Sequence, residues 1–298
     1  MSGHEKPYQI LTSTRYDQFL TTLPWNNDDD GPSPFFLLPL HLDRLLAATG
    51  THNWLYAKSL LRYRSLRASC SDAISEQRVW GSTAQAFRVR SIRPVFVNRC
   101  NFIWRQLRIT VSKEGRIVVT ATPLDTSFAT DPTLGSFIKP PFPISGENVV
   151  KVYVDIQQTA PSVFTQTKTT LRGLYEAAKE RNQPTVKEIG DWDVLLHNED
   201  GKVMETTIFN IAFYRSSRWL TPCTSTGCLE GIMRRWLLCA GRITPDNDDR
   251  GESSVLRRES IVNGEWVLLF NGVQGCRLGR IYVDVKSTSI PSSISPKI

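Results

Sequence analysis

The chain is 298 residues long, 40% hydrophobic and 22% charged, with a formal net charge of +7. Those fractions exclude a disordered or collagen-like chain and suit a globular one, and the length is compatible with about two domains. The longest apolar runs, residues 35–40 and 266–270, fall far short of the roughly 20 residues a membrane helix needs.

Residues 1–8 are polar and lack the apolar centre of a secretory signal, so a cytoplasmic setting without a membrane partner is expected. The basic residues are scattered and form no nucleic-acid motif, so no nucleic-acid partner is expected. The excess positive charge then reads either as solvated surface or as a cleft that draws in a small anion. Six cysteines, Cys70, Cys100, Cys223, Cys228, Cys239 and Cys276, form no CxxC pair and have no histidines clustered near them. Free thiols and no metal site are expected.

In chain order, residues 8–16 read as a strand ending in the hydroxyl cluster Thr12, Ser13 and Thr14, followed by Arg15. Residues 26–34, rich in Asn, Asp, Gly and Pro, read as a loop. Residues 35–40 suggest a short apolar strand. The spacing of Leu42, Leu45, Leu46 and Thr49 predicts a helix over 41–49, with Gly50 suited to the position just past its end. Residues 107–111 and 116–122 predict a hairpin turning at Lys113-Glu114-Gly115. Residues 123–148 are dense in Pro, Ser, Thr and Gly and read as a linker or long loop. A strand is expected over 149–156 and a helix over 169–181, its apolar stripe made of Leu171, Leu174, Tyr175 and Ala178. Four short segments, 193–197, 201–204, 208–214 and 219–221, predict a mainly antiparallel sheet. A helix over 231–240 and a strand over 266–270, ending at Asn271-Gly272, complete the pattern, and a Ser/Pro-rich tail from about 287 is expected to be poorly ordered. This divides the chain into a smaller N-terminal α/β domain over 1–125, a linker over 126–148 and a larger C-terminal domain over 149–298.

Four stretches carry chemistry as a set: His41-Leu42-Asp43-Arg44-Leu45; Lys168-Thr169-Thr170-Leu171-Arg172; Glu205-Thr206-Thr207 through Asn210 to Phe213; and Gly231-Ile232-Met233-Arg234, preceded by Leu220-Thr221-Pro222. Taken singly, each has an ordinary reading. Lys168 is a solvated lysine before a helix, Glu205 an exposed strand carboxylate, Arg44 a helix surface charge and Gly231 a turn. Lys179, beside Glu180 and Arg181, reads as a solvated face.

In this order the set resembles the fold-type IV pyridoxal-phosphate (PLP) enzymes, the class IV aminotransferases, over about residues 10–275. That family includes branched-chain and D-amino acid aminotransferases and 4-amino-4-deoxychorismate lyases. The resemblance implies a two-lobed α+β fold, D-amino acid aminotransferase-like, with the cofactor in the interlobe cleft. It implies Lys168 as the lysine that carries PLP as a Schiff base. Glu205, with Asn210 five residues on, becomes the carboxylate that keeps the pyridine nitrogen protonated, as an electron sink requires. Arg44 falls in a motif resembling H-x-x-R-L, whose arginine binds the phosphate. Gly231, Ile232 and Met233 would add helix N-terminal amides, with no Gly231 side chain in the way. Asn271-Gly272-Val273 resembles a second phosphate-side loop.

Within the family, Leu11-Thr12-Ser13-Thr14-Arg15-Tyr16 resembles a hydroxyl-rich stretch of the lyases, where branched-chain aminotransferases carry Phe-Glu-Gly. Gly231-Ile232-Met233-Arg234 is similar to the lyase form of the phosphate helix, and the set as a whole resembles the fungal lyases especially. The resemblance implies an elimination in which Lys168 removes the C4 proton of 4-amino-4-deoxychorismate and the enolpyruvyl group leaves as pyruvate, giving 4-aminobenzoate for folate synthesis. A hydroxyl from Thr12, Ser13 or Thr14 would assist that departure, Ser13 being favoured by alignment with a threonine of the bacterial enzymes. The substrate's two carboxylates call for cations, for which Arg15, Arg108 and Arg172 are the candidates. The alternative on this scaffold is an aminotransferase acting on branched-chain or D-amino acids. The family usually forms homodimers, which is the expectation here.

Overall fold

Two sheets carry the fold in the computed structural model, which describes residues 7–83, 104–140, 149–184, 191–246 and 255–283. The smaller sheet joins β1 (Ile10–Tyr16), β2 (Arg105–Val111) and β3 (Ile117–Pro123), antiparallel and in that order. Its strands alternate. Ile10 and Tyr16 of β1, with Leu107, Ile109 and Val111 of β2, pack into a core under α1 (Leu38–Thr51), α2 (Leu55–Leu60) and α3 (Tyr63–Thr83). The opposite face of β1 and β2 carries Ser13, Arg15, Gln106 and Arg108, with Ser13 directly across from Arg108 and Arg15 across from Gln106.

The larger sheet has eight strands: β4 (Val150–Val154), β5 (Trp192–His197), β6 (Val203–Thr206), β7 (Asn210–Arg215), β8 (Arg218–Thr221), β9 (Thr244–Pro245), β10 (Trp266–Asn271) and β11 (Gly275–Tyr282). Their order is β6-β5-β4-β11-β10-β7-β8-β9, parallel at β5-β4, β4-β11 and β8-β9 and antiparallel elsewhere. The helices of this lobe are α4 (Val163–Gln166), α5 (Gly173–Arg181) and α6 (Ile232–Cys239). Both faces of the central strands are covered. Along β10, Val267 and Leu269 enter one core, while Leu268 and Phe270 enter the other with Ile232, Met233 and Leu237 of α6. Burial on both sides explains why 266–270 is continuously apolar rather than alternating. Leu20, Phe36 and Leu37 of the N-terminal lobe join the α6 core, so the two lobes share packing.

Several expectations change. Residues 35–40 do not form a strand: only Phe35 makes a strand-like bridge, to Tyr16, and α1 begins at Leu38. Pro39 suits a first helical turn, where its missing N–H has no partner to lose. Leu37 enters the helix at φ 52°, its N–H held by Asn26 Oδ1 at 2.8 Å. A short apolar run cannot be assigned by periodicity alone. Gly50 lies inside α1 rather than beyond it. The helix expected from 169 starts only at Gly173, because residues 168–170 are extended and hydrogen-bonded to Gln9 and Leu11. β11 and the long α3 were not anticipated.

The stretch read as a linker is packed over its described part. Phe128 N–H donates to Asp17, Trp25 donates to Asp131 at 3.0 Å, and Cys276 N–H donates to Pro132 O at 2.7 Å. Residues 141–148 and the tail from 287 lie outside the described residues. Gly275, at φ +67°, makes the last of these contacts possible, because a Cβ there would lie 2.5 Å from Pro132 Cβ and 2.6 Å from its carbonyl oxygen. Gly241 has a similar φ, +65°, but open space around it. Gly241→Ala is therefore expected to cost about 1 kcal/mol of left-handed strain, and Gly275→Ala clearly more. Urea unfolding midpoints of the two variants check the order.

Candidate functional site

A cavity of about 130 Å³ opens where the small sheet meets the C-terminal lobe. Ser13, Gln106, Arg44, Lys168, Glu205, Asn210, Gly231, Ile232 and the 271–274 turn line it, together with the C-terminal lobe's Ile208, Phe209 and Leu229. The sequence-predicted residues among these, Ser13, Arg44, Lys168, Glu205 with Asn210, Gly231 with Ile232, and Asn271 with Gly272, thus converge from six separate stretches of chain.

Lys168 is fixed by its backbone. Its carbonyl accepts from Leu11 N–H at 2.8 Å, and Thr169 bridges Ile10, so the lysine is stitched to β1 one residue from Thr12. The residue as a whole is half-buried. Burial of the amine, then the nearby Arg44 and Arg172, lower its pKa to about 7, against the opposing pull of Glu205.

Glu205 sits next to the end of β6 as a buried carboxylate. One oxygen accepts from the Tyr175 hydroxyl at 2.9 Å and the other from Asn210 Nδ2 at 3.3 Å. Burial raises its pKa to about 7, and the Tyr175 hydrogen bond and Lys168 resist that rise. Asn210 also donates to Leu229 O at 2.8 Å, tying Glu205 to the segment that enters α6. Gly231 is required at that point, since a Cβ would fall 1.8 Å from Asn210 Oδ1. Among the described residues no side chain caps α6, and the first amides after Gly231, like those of any helix start, have no intrahelical acceptor.

The turn after β6 is clamped from beneath. Asp193, fully buried on β5, accepts from the Thr206 and Thr207 hydroxyls and from Ile208 N–H at 3.1 Å. Thr207 O in turn receives Arg172 Nη2 at 2.6 Å, and that guanidinium lies 4.7 Å over the Tyr175 ring.

The hydroxyl cluster divides by strand alternation. Ser13 faces the cavity. Thr12 and Thr14 point the other way, Thr12 toward α1 and Thr14 toward the segment that leads into it. Thr12 Oγ1 lies 2.6 Å from His41 Nδ1 and accepts from Arg44, while Thr14 donates to Phe36 O at 2.8 Å. Thr12 and Thr14, read from sequence with Ser13 as catalytic hydroxyls, are thus engaged with structure outside the cavity. The three arginines divide too. Arg15 is buried in an ion pair with Asp17 at 3.0 Å and stacks on Phe128, 4.0 Å from the ring centroid. It does not line the cavity, unlike the substrate role read for it. Arg172 is committed to the clamp just described. Arg108 is exposed on the cavity side of β2, and its guanidinium makes no hydrogen bond or ion pair with a described residue.

Of the phosphate-side candidates, Ile232 lines the cavity while Met233 is buried in the core behind it. Asn271 spends its side-chain oxygen on Val273 and Gln274 N–H, shaping the turn. Arg44 reaches the cavity with its Nε buried and unpartnered. Burial, then Arg235, lower its pKa to about 9. Sequence reasoning missed Gln106 and Tyr175. Gln106 shares the alternating face of Ser13 and Arg108. Tyr175 sat in an apolar stripe, where only its hydroxyl distinguishes it, and buried tyrosine hydroxyls usually find a partner.

The shifts carry a stability signature. Between pH 7 and 10.5 the folded chain leaves Lys168 neutral while the unfolded chain protonates it, so this residue's contribution to stability rises with pH across that window. Lys168→Met removes the penalty. The cofactor-free variant is expected to melt higher than the native chain at pH 7, with the gain fading toward pH 10.5. Thermal unfolding at a series of pH values checks it.

A family model described as amino-transferase class IV matches residues 18–244. An "Aminodeoxychorismate lyase" of Saccharomyces cerevisiae is 32% identical over 201 residues, covering 59% of this chain and 51% of the relative. A Schizosaccharomyces pombe protein named "Putative aminodeoxychorismate lyase" is 44% identical over 104 residues, 35% of this chain and 42% of the relative. The chain spans about half the length of the curated relatives it matches. Among solved structures, the Escherichia coli branched-chain amino acid aminotransferase is 15% identical with a TM-score of 0.56, covering 95% of this chain and 79% of that one. A Legionella pneumophila "Putative 4-amino-4-deoxychorismate lyase" is 13% identical with a TM-score of 0.55, covering 93% and 83%. At such identities the likeness establishes the fold, and the family match extends over most of the chain: it belongs to the aminotransferase class IV family.

Proposed function

We propose that the chain is a PLP-dependent 4-amino-4-deoxychorismate lyase, releasing 4-aminobenzoate and pyruvate. The observation that carries this is the opening of Lys168, Glu205, Arg44 and the uncapped start of α6 onto one cavity, in a chain similar to two fungal proteins named for that activity. The donor set fits PLP: an amine with a lowered pKa, a carboxylate held across the cavity, a buried guanidinium Nε without a partner, and free helix amides. When bound, PLP supplies an aldehyde for the amine and a ring that withdraws electrons.

Around it, Lys168 would anchor the group and then take the proton from C4 of the substrate. A pKa near 7 leaves a useful neutral fraction for that task. Glu205, fixed by Tyr175 and Asn210, would hold a proton at the ring nitrogen. Arg44 and the amides after Gly231 would bind the phosphate. As the C4 proton moves to Lys168, the C3–O bond breaks and the enolpyruvyl group departs, aided by the Ser13 hydroxyl. Arg108, across from Ser13, would hold a substrate carboxylate. The homodimer implied by the family resemblance, and a cytoplasmic setting consistent with free Cys70, Cys223, Cys228, Cys239 and Cys276, belong to the same reading.

Purified protein incubated with PLP and reduced with borohydride is expected to carry the label on the Lys168 peptide. A label elsewhere, or none, overturns the cofactor assignment. Supplied with 4-amino-4-deoxychorismate and no keto acid, the enzyme is expected to form 4-aminobenzoate and pyruvate in equal amounts. Amino transfer to 2-oxoglutarate in place of that elimination favours an aminotransferase. Arg108→Ala is expected to raise KM about tenfold or more, the usual size for a lost hydrogen bond to a charged group, with little change in bound PLP.

A further inference from the structure

His41 is fully buried on α1, outside the cavity lining, and the chemistry above gives it no task. Its hydrogen bonding nevertheless follows from what surrounds it. Arg44 Nη2 donates to Thr12 Oγ1, because a guanidinium has only donors. Thr12 must then place its own single proton elsewhere, and His41 Nδ1, at 2.6 Å, is the acceptor within reach. The ring accordingly accepts at Nδ1 and carries its proton on Nε2. The other tautomer would set two donors against one hydroxyl and strand the Thr12 proton. Burial, then Arg44 and Lys168, hold the imidazole well below its ordinary pKa and keep it neutral, against the Phe36 backbone, which pulls the other way.

The Nε2 edge is buried without a partner. It lies against Gly272: a Cβ on that glycine would sit 3.1 Å from Nε2 and 3.4 Å from Ser13 O. His41, on the same helix as Arg44, therefore touches two other parts of the cavity wall, β1 through Thr12 and the turn between β10 and β11 at Gly272.

We propose that His41 is a positioning residue that acts through Thr12: by accepting the Thr12 proton it fixes the hydroxyl as an acceptor for Arg44, and so aims the guanidinium at the anionic group of the ligand in the cavity. Thr12 is then the middle member of an Arg44–Thr12–His41 chain rather than a participant in the elimination. A serine keeps this chain intact, whereas a valine of the same shape as threonine breaks it. Gly272 leaves room for the imidazole edge, which joins the same chain to the turn.

The inference rests on the PLP reading of the cavity, and the test separates the two. Full-length chain, stripped with hydroxylamine, is titrated with PLP and with pyridoxal, which lacks the phosphate, and binding is read from absorbance. Thr12→Val and His41→Leu are each expected to weaken PLP about tenfold or more, as for a hydrogen bond to a charged group, while pyridoxal affinity stays within about twofold. Thr12→Ser is expected to keep native affinity for both. The Thr12→Val/His41→Leu double variant should lose no more than either single one, because the two residues act through one chain. Parallel losses for PLP and pyridoxal, or a Thr12→Ser loss equal to that of Thr12→Val, overturn the role of His41. Failure of the native chain to bind PLP overturns the cofactor reading itself. If His41→Leu does not fold, the valine–serine contrast at Thr12 still decides.

Discussion

Lys168 and Glu205 face one another's fields in a cavity that water reaches poorly. Burial alone would leave both neutral, and each restores part of the other's charge. The result is a base and an acid both brought near pH 7 from opposite directions. Shifts of this kind destabilise a fold, since neither group regains the hydration it has in the unfolded chain. The surrounding structure is arranged to tolerate that cost and to keep the pair in place.

The restraint comes from backbone pairing and from short buried hydrogen bonds rather than from ion pairs. Leu11 N–H fixes Lys168 from β1. Tyr175 and Asn210 each hold one oxygen of Glu205, and Asn210 passes the constraint on to Leu229 and α6. Asp193 satisfies the turn between β6 and β7, so the strand bearing Glu205 and the strand beginning with Asn210 keep their register. Each partner in this series is itself tied to the fold by hydrogen bonds, which is what holds a reactive pair at fixed geometry.

Much of this was legible in the sequence, and the limits are instructive. The motif residues Lys168, Glu205, Asn210, Arg44 and Gly231 were readable because each supplies an irreplaceable chemistry, and their order along the chain matched a known pattern. The orientation of Thr12, Ser13 and Thr14 was not. Three hydroxyls in a row look alike until the pleat of β1 sends Ser13 to the cavity and its neighbours to α1. Residues 35–40 misled for a related reason: an apolar run buried at the join of two cores suits a strand or a helix entry equally, and Pro39 settled it. Arg15 became a candidate by charge alone. Its partner Asp17 is only two residues away, but the burial that makes the pair exclusive arises from Phe128, more than a hundred residues on.

The net charge of +7 left two readings open, a solvated surface or an anion-seeking cleft. The cavity gives the second a definite location. Glu205 is the one acid among the described lining residues, against Arg44 and Lys168 in the lining and Arg108 and Arg172 close enough to depress the Lys168 pKa. Such an imbalance draws anions in. A phosphate beside Arg44 or a carboxylate beside Arg108 adds negative potential at Lys168, which favours its protonated form. Linkage makes the relation reciprocal: whatever proton uptake accompanies anion binding, the anion binds more tightly as the pH falls through the Lys168 pKa. The same cationic excess that weakens the amine's hold on its proton thus ties the affinity for an anionic ligand to the state of the residue that reacts with it.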